Sequence, residues 1–115
     1  MSTLCDEGCV ACRAGAPRVE AEEAAQLLVQ LPLWRLECQQ GVDRLVREFK
    51  FANFVEALAF TDRVGAMAES MQHHPQITLT WGRVELQWWT HKIKGLHRND
   101  FVCAARSERL FEGPD

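Results

Sequence analysis

The sequence predicts an α+β domain, a four-stranded antiparallel sheet with three helices packed on one face in the order α-β-β-α-β-β-α. Two observations carry this. Apolar residues recur at helical spacing in three stretches and at every second position in four shorter ones. Each pair of strand-like stretches is joined by a connection too short for a parallel crossover, so the strands pair antiparallel. Such a sheet buries one face under helices.

The run from Glu20 to Leu31 is rich in helix formers, with acids in its first turn. Ala24, Leu27, Leu28 and Leu31 share one face, and Pro32 stops the run. Trp34 to Cys38 alternates as a strand, and Gln40-Gly41-Val42 offers a turn. From Leu45 to Phe51 the odd positions Leu45, Arg47, Phe49 and Phe51 form one face, while Val46 interrupts the polar one. Asn53 followed by Glu56 three residues later reads as an N-cap close to a capping box. A long helix follows from Phe54 to Met71, with Phe54, Leu58, Val64, Ala68 and Met71 near one face; Pro75 ends it. Ile77 to Trp81 and Val84 to Trp88 alternate about Gly82-Arg83, which predicts a hairpin. Lys92 to Gly95 connects to a last helix from His97 to Phe111, with Phe101, Ala105 and Leu110 inward and Gly113 and Pro114 past its end. Trp88 and Trp89 point to opposite faces of one strand, and that bulk on both sides hints at an oligomer.

Residues 1–17 hold no period and read as a flexible leader, leaving 18–115 as a single domain. The net charge of −3, without a block of like charge, argues against nucleic-acid binding. No apolar stretch is long enough for a transmembrane helix, which argues against a membrane partner. Met1 to Val10 lacks the pattern of a secretory signal, so the cytoplasm is expected. The spacing Cys5-x3-Cys9-x2-Cys12 is one that holds iron–sulfur clusters in barrel enzymes, for which this chain is too short. Cys38 and Cys103 flank the trio too distantly to suggest zinc. Free thiols are the simpler reading, with Cys38 and Cys103 as small core fillers.

One constellation could carry chemistry: Glu69-x3-His73-His74-Pro75, then Thr90-His91, then Asp100. Imidazole gives and takes protons near neutrality. Pro75 fixes the exit from the helix, so His73 and His74 can diverge. His91 lies at a strand end, and Asp100 could orient an imidazole or hold a ligand amide. The plainer alternative is a solvated helix C-terminus whose dipole favours two imidazolium groups. Adjacent histidines lack the i,i+4 spacing of a helical metal pair, so no metal is expected. Lys92, Lys94 and Arg98 form either a solvated loop or an anion-attracting patch. Trp81, Trp88 and Trp89 read as core or interface, and His97 as a cap or decoration of the last helix.

These residues resemble one family. Glu69 to Pro75, the hairpin through Trp81 and Val84, Thr90-His91 and Gly95-Leu96-x3-Asp100 are similar in order and spacing to pterin-4a-carbinolamine dehydratase, from about Val19 to Leu110. The Trp88-Trp89-Thr90-His91 stretch is most like bacterial members. The resemblance implies helices on one face of a four-stranded sheet, a homodimer or homotetramer, and neither metal nor cofactor. The implied reaction is loss of water from 4a-hydroxytetrahydropterin, giving quinonoid dihydropterin and recycling the pterin of aromatic amino acid hydroxylases. It implies catalytic roles for His73, His74 and His91, with Asp100 and Glu69 in support. Substrate contacts fall on His73, His74 and Pro75 and on Thr90, His91, Lys92 and Ile93, the last two through backbone groups. His74 is then the acid–base residue near the 4a-hydroxyl, His73 binds and polarises, and His91 handles the N5 proton or the second stereoisomer. Gln72 stands where animal members carry an acid. Animal members also serve as dimerisation cofactors of a homeodomain transcription factor, so the alternative is a non-catalytic or regulatory binding protein on the same scaffold.

Overall fold

The structure, a computed structural model, describes residues 19–112. The leader with Cys5, Cys9 and Cys12, and the helix stop at Gly113-Pro114, lie outside the described residues. The elements follow in the predicted order: α1 (Ala21–Leu28), β1 (Arg35–Gln39), β2 (Val42–Lys50), α2 (Phe54–Met71), β3 (Gln76–Thr80), β4 (Arg83–Trp88) and α3 (Arg98–Glu112). The strands form one antiparallel sheet in the order β1-β2-β4-β3. One sheet face supplies Leu45, Phe49, Val84, Leu86 and Trp88 to the core, and all three helices close over it.

Local chemistry sets the boundaries. α1 stops at Leu28 rather than Leu31. Pro32 bars helical geometry at the residue before it, and the chain tightens to i+3 bonds from Gln30 to Leu27 and Leu31 to Leu28. β2 begins at Val42, earlier than Leu45. Gln40 and Gly41 both take positive φ, which matches the twist of the flanking strands, so pairing resumes at once with Gln39 opposite Val42. Asn53 caps α2, its side chain accepting from the Glu56 N–H at 2.9 Å. At Gly82 a Cβ would sit 3.1 Å from the Phe51 carbonyl, and this close approach admits the bond from Phe51 N to Gly82 O.

Some expected faces are corrected. α2 buries Ala57, Phe60, Val64 and Ala68. Phe54 and Leu58 are exposed, as is Val55, because the rotation of α2 follows the sheet beneath it. Cys38 is exposed, since β1 is an edge strand, whereas Cys103 is buried as expected. The sequence places Arg47 on the inner face of β2, and it is buried there. Glu108 of α3 pairs with it, Trp34 Nε1 donates to Glu108 at 2.9 Å, and the guanidinium lies 4.0 Å over the Phe49 ring. Phe49, Phe51, Phe60 and Phe111 cluster around that corner.

Removing one partner of this pair strands a charge under the helix layer. Glu108→Ala is expected to lower stability by about 3 kcal/mol in urea denaturation. The double change Arg47→Met with Glu108→Leu should recover most of that loss.

Candidate active site

The register gathers the predicted residues at one end of the sheet. Gln76 at the start of β3 lies opposite Gln87 near the end of β4. The chain entering β3 carries His73 and His74, and the chain leaving β4 carries Trp89, Thr90 and His91. Asp100 arrives in the first turn of α3.

The end of α2 separates the two adjacent histidines. Gln72 takes the left-handed conformation; its N–H bonds Glu69 O at 3.1 Å, and the His73 N–H bonds Ala68 O at 3.1 Å. This pair of bonds is a Schellman motif, which folds the residue after the cap back over the helix. His73 therefore turns inward and is only 7% exposed, stacked on Trp88 at 5.6 Å and 19°. His74 turns outward, its side chain 63% exposed, with Nε2 2.8 Å from Glu69 Oε1.

Asp100 is fully buried. Its Oδ2 accepts from the Thr90 hydroxyl at 2.8 Å and the His97 N–H at 2.9 Å, and its Oδ1 lies 2.6 Å from His73 Nε2. With two donors already on Oδ2, its Oδ1 shares one hydrogen bond with His73 Nε2. The Asn99 N–H in turn donates to His97 Nδ1 at 3.1 Å. His97 and Asp100 thus form a reciprocal cap of α3, with imidazole in the place usually held by a hydroxyl. The expectation that His97 caps this helix holds.

Thr90 is closed into a small loop by its bridge to Gly95, and the 3-10 turn His91–Ile93 lies within it. Ile93 is buried and anchors that loop, while Lys92 is exposed. His91 projects outward, its ring 4.5 Å from the Trp89 ring. The structure thus joins His73, Thr90 and Asp100 through hydrogen bonds, and His74 with Glu69. It gives His91 a different neighbour, Trp89. Arg44, with its guanidinium carbon 4.0 Å over that indole, belongs to the same end of the sheet and was not singled out from the sequence. Its only signal is the β2–β4 register, which a single sequence does not display.

Trp89 is half-buried, with the Arg44 guanidinium and the His91 ring against its indole. A cleft of about 450 Å³, lined by Lys50, Phe51, Glu56, Arg63 and Phe111, lies at the other end of β2 and contains no histidine. Of the basic trio, Arg98 pairs with Glu23 at 3.7 Å. Among the described residues no group of three metal-ligating side chains forms, and no helix is long and apolar enough to cross a membrane.

The model of the pterin 4 alpha carbinolamine dehydratase family matches residues 17–110. This chain belongs to that family. A protein of Saccharophagus degradans, provisionally named pterin-4-alpha-carbinolamine dehydratase, is 56% identical over 113 residues, covering 98% of this chain and all of the relative. One from Syntrophotalea carbinolica with the same provisional name is 53% identical over 112 residues, 97% of this chain and all of that relative. Among solved structures, the transcriptional coactivator/pterin dehydratase of Brucella melitensis superposes with a TM-score of 0.74 at 26% identity, over 82% of this chain and 98% of that one. A pterin dehydratase-like protein identified as a RuBisCO assembly factor shares the fold, with a TM-score of 0.58 at 24% identity over 71% of this chain and 92% of that one.

The Thr90 hydroxyl has its partner wholly inside the protein. Thr90→Val keeps the shape and removes one donor to Asp100. Its expected cost is about 1.5 kcal/mol in denaturant unfolding.

Proposed function

We propose that this chain dehydrates a 4a-hydroxytetrahydropterin to the quinonoid dihydropterin by histidine acid–base catalysis. The observation that carries the reading is the division between His73 and His74. One imidazole is fixed by a buried carboxylate, and its sequence neighbour faces outward beside Glu69. A dehydratase needs both a rigid recognition group and an accessible proton carrier.

The reaction breaks the C4a–O bond. A proton reaches the hydroxyl oxygen and water departs. The N5 proton leaves, and the N5 electrons form the C4a=N5 double bond. A hydroxyl is a poor leaving group until protonated, so an acid beside it and a base beside N5 both accelerate the step. His74, exposed and hydrogen-bonded to Glu69, suits the acid role near the 4a-oxygen. His73, held by Asp100, suits binding and polarisation of the same site. His91 suits the N5 proton. The pterin ring would lie along His73, His74 and Pro75 on one side and Thr90 to Ile93 on the other, with Lys92 and Ile93 acting through backbone groups. Ile93 fits that part, because its side chain is buried. On this reading the protein works in the cytoplasm, as a homodimer or homotetramer, beside an aromatic amino acid hydroxylase.

A second reading is favoured by one feature. Phe54, Val55 and Leu58 leave an apolar patch on α2, and the Brucella relative is also named a transcriptional coactivator. On that reading the chain is a dimerisation or regulatory cofactor. A wild-type protein that binds a partner protein yet leaves the uncatalysed dehydration rate unchanged decides for it.

The test follows quinonoid product formation from chemically generated carbinolamine. His74→Ala and His91→Ala should each lower the catalysed rate by roughly a hundredfold. Wild-type rates in both would remove these residues from the mechanism.

A further inference from the structure

The three imidazoles differ in what orients them. His73 has a buried carboxylate and His74 an exposed one. His91 has neither. Its ring rests against Trp89, with centroids 4.5 Å apart and planes tilted by 43°. The orientation of His91 therefore depends on what holds the indole.

Arg44 holds it. Leu45 lies opposite Trp88 in the β2–β4 ladder, so Arg44 falls beside Trp89 on the sheet face away from the helices. Its guanidinium carbon is 4.0 Å from the indole centroid. Two features keep it there. Nη1 donates to Gln87 Oε1 at 3.1 Å, and Gln87 is itself fixed through Nε2 to Glu85 at 2.8 Å. The carboxylate across the strand from Arg44 is Glu37, and it is already engaged. Arg35 donates to one Glu37 oxygen and Gln39 to the other. The Arg35 hydrogen bond is the main reason the Glu37 carboxyl is held below its ordinary range. Among the described residues Arg44 makes no ion pair, and its Nε is buried without a hydrogen-bond partner. A cation partly withdrawn from water, with no anion paired to it among the described residues, gains from the face of an indole ring.

We propose that Arg44 is a positioning residue for His91, acting through the indole of Trp89. The Arg44–Trp89–His91 stack does for the third imidazole what Asp100 and Glu69 do for the other two. Without the cation, Trp89 keeps its packing against the core but loses the group on its exposed side, so the indole shifts and the wall beside the exposed His91 ring moves with it. Its proton then meets the substrate in the wrong place, a loss that falls on kcat rather than on binding. The activity side of this inference rests on the dehydratase reading; the geometric side does not.

The experiment combines two readouts on the full chain. In Arg44→Met, the His91 ring-proton NMR resonances should shift, because the ring current of Trp89 moves. Trp89→Leu should shift them too, and Arg44→Lys should return them most of the way. In the carbinolamine assay Arg44→Met should lower kcat roughly tenfold with KM nearly unchanged. The same change made in a His91→Ala background should cost nothing further, since a residue acting only through His91 has nothing left to act on. His91 resonances that stay in place in Arg44→Met overturn the proposal. So does an equal loss of kcat with and without His91, which would mark a general structural effect. A wild-type protein without activity would defeat the dehydratase reading, and the resonances would still decide whether Arg44 positions His91.

Discussion

A single buried carboxylate binds the three segments of the candidate site together. Asp100 reaches the end of α2 through His73, the loop after β4 through Thr90, and its own helix through the His97 N–H. A fully buried acid is costly unless its oxygens are satisfied, and each available partner lies on a different segment. Satisfying Asp100 ties the end of α2, the Thr90 loop and the start of α3 to one another. His91 lies outside that network, against Trp89.

The rest of the arrangement follows from the helix end. The Schellman turn at Gln72 sends consecutive histidines in opposite directions, so the two have different solvation and different partners. Trp88 closes the inner side as a flat wall for His73. Its own N–H is buried with no hydrogen-bond partner among the described residues, so it serves there as an apolar surface. Rigidity therefore sits on the protein side of the pair and access on the solvent side. That division lets one recognition group and one proton carrier arise from two adjacent residues.

Much of this was legible in the sequence because the signals are local. The Asn53 cap, the hairpin about Gly82 and the stop imposed by Pro75 each depend on a few neighbouring residues. The misplacements arose where tertiary packing decides. Phe54 and Leu58 fall on a plausible helical stripe, yet the rotation of α2 over the sheet leaves both outside. Cys38 alternates like a core residue, but it sits on an edge strand. In the site, the histidines were visible as residue types. The convergence of Thr90, His97 and His73 on Asp100 was not, because it needs α3 docked beside the end of β4. Arg44 stayed hidden for the same reason: its meaning comes from Trp89, just past the end of β4 and far from Arg44 in the chain.

The most direct measurement is the catalysed dehydration rate of Asp100→Asn, taken under conditions where far-ultraviolet circular dichroism shows the variant folded. The amide keeps the size of the carboxyl and alters the hydrogen bond that aligns His73. The rate should fall roughly a hundredfold. A folded Asp100→Asn protein working at the wild-type rate would contradict the account.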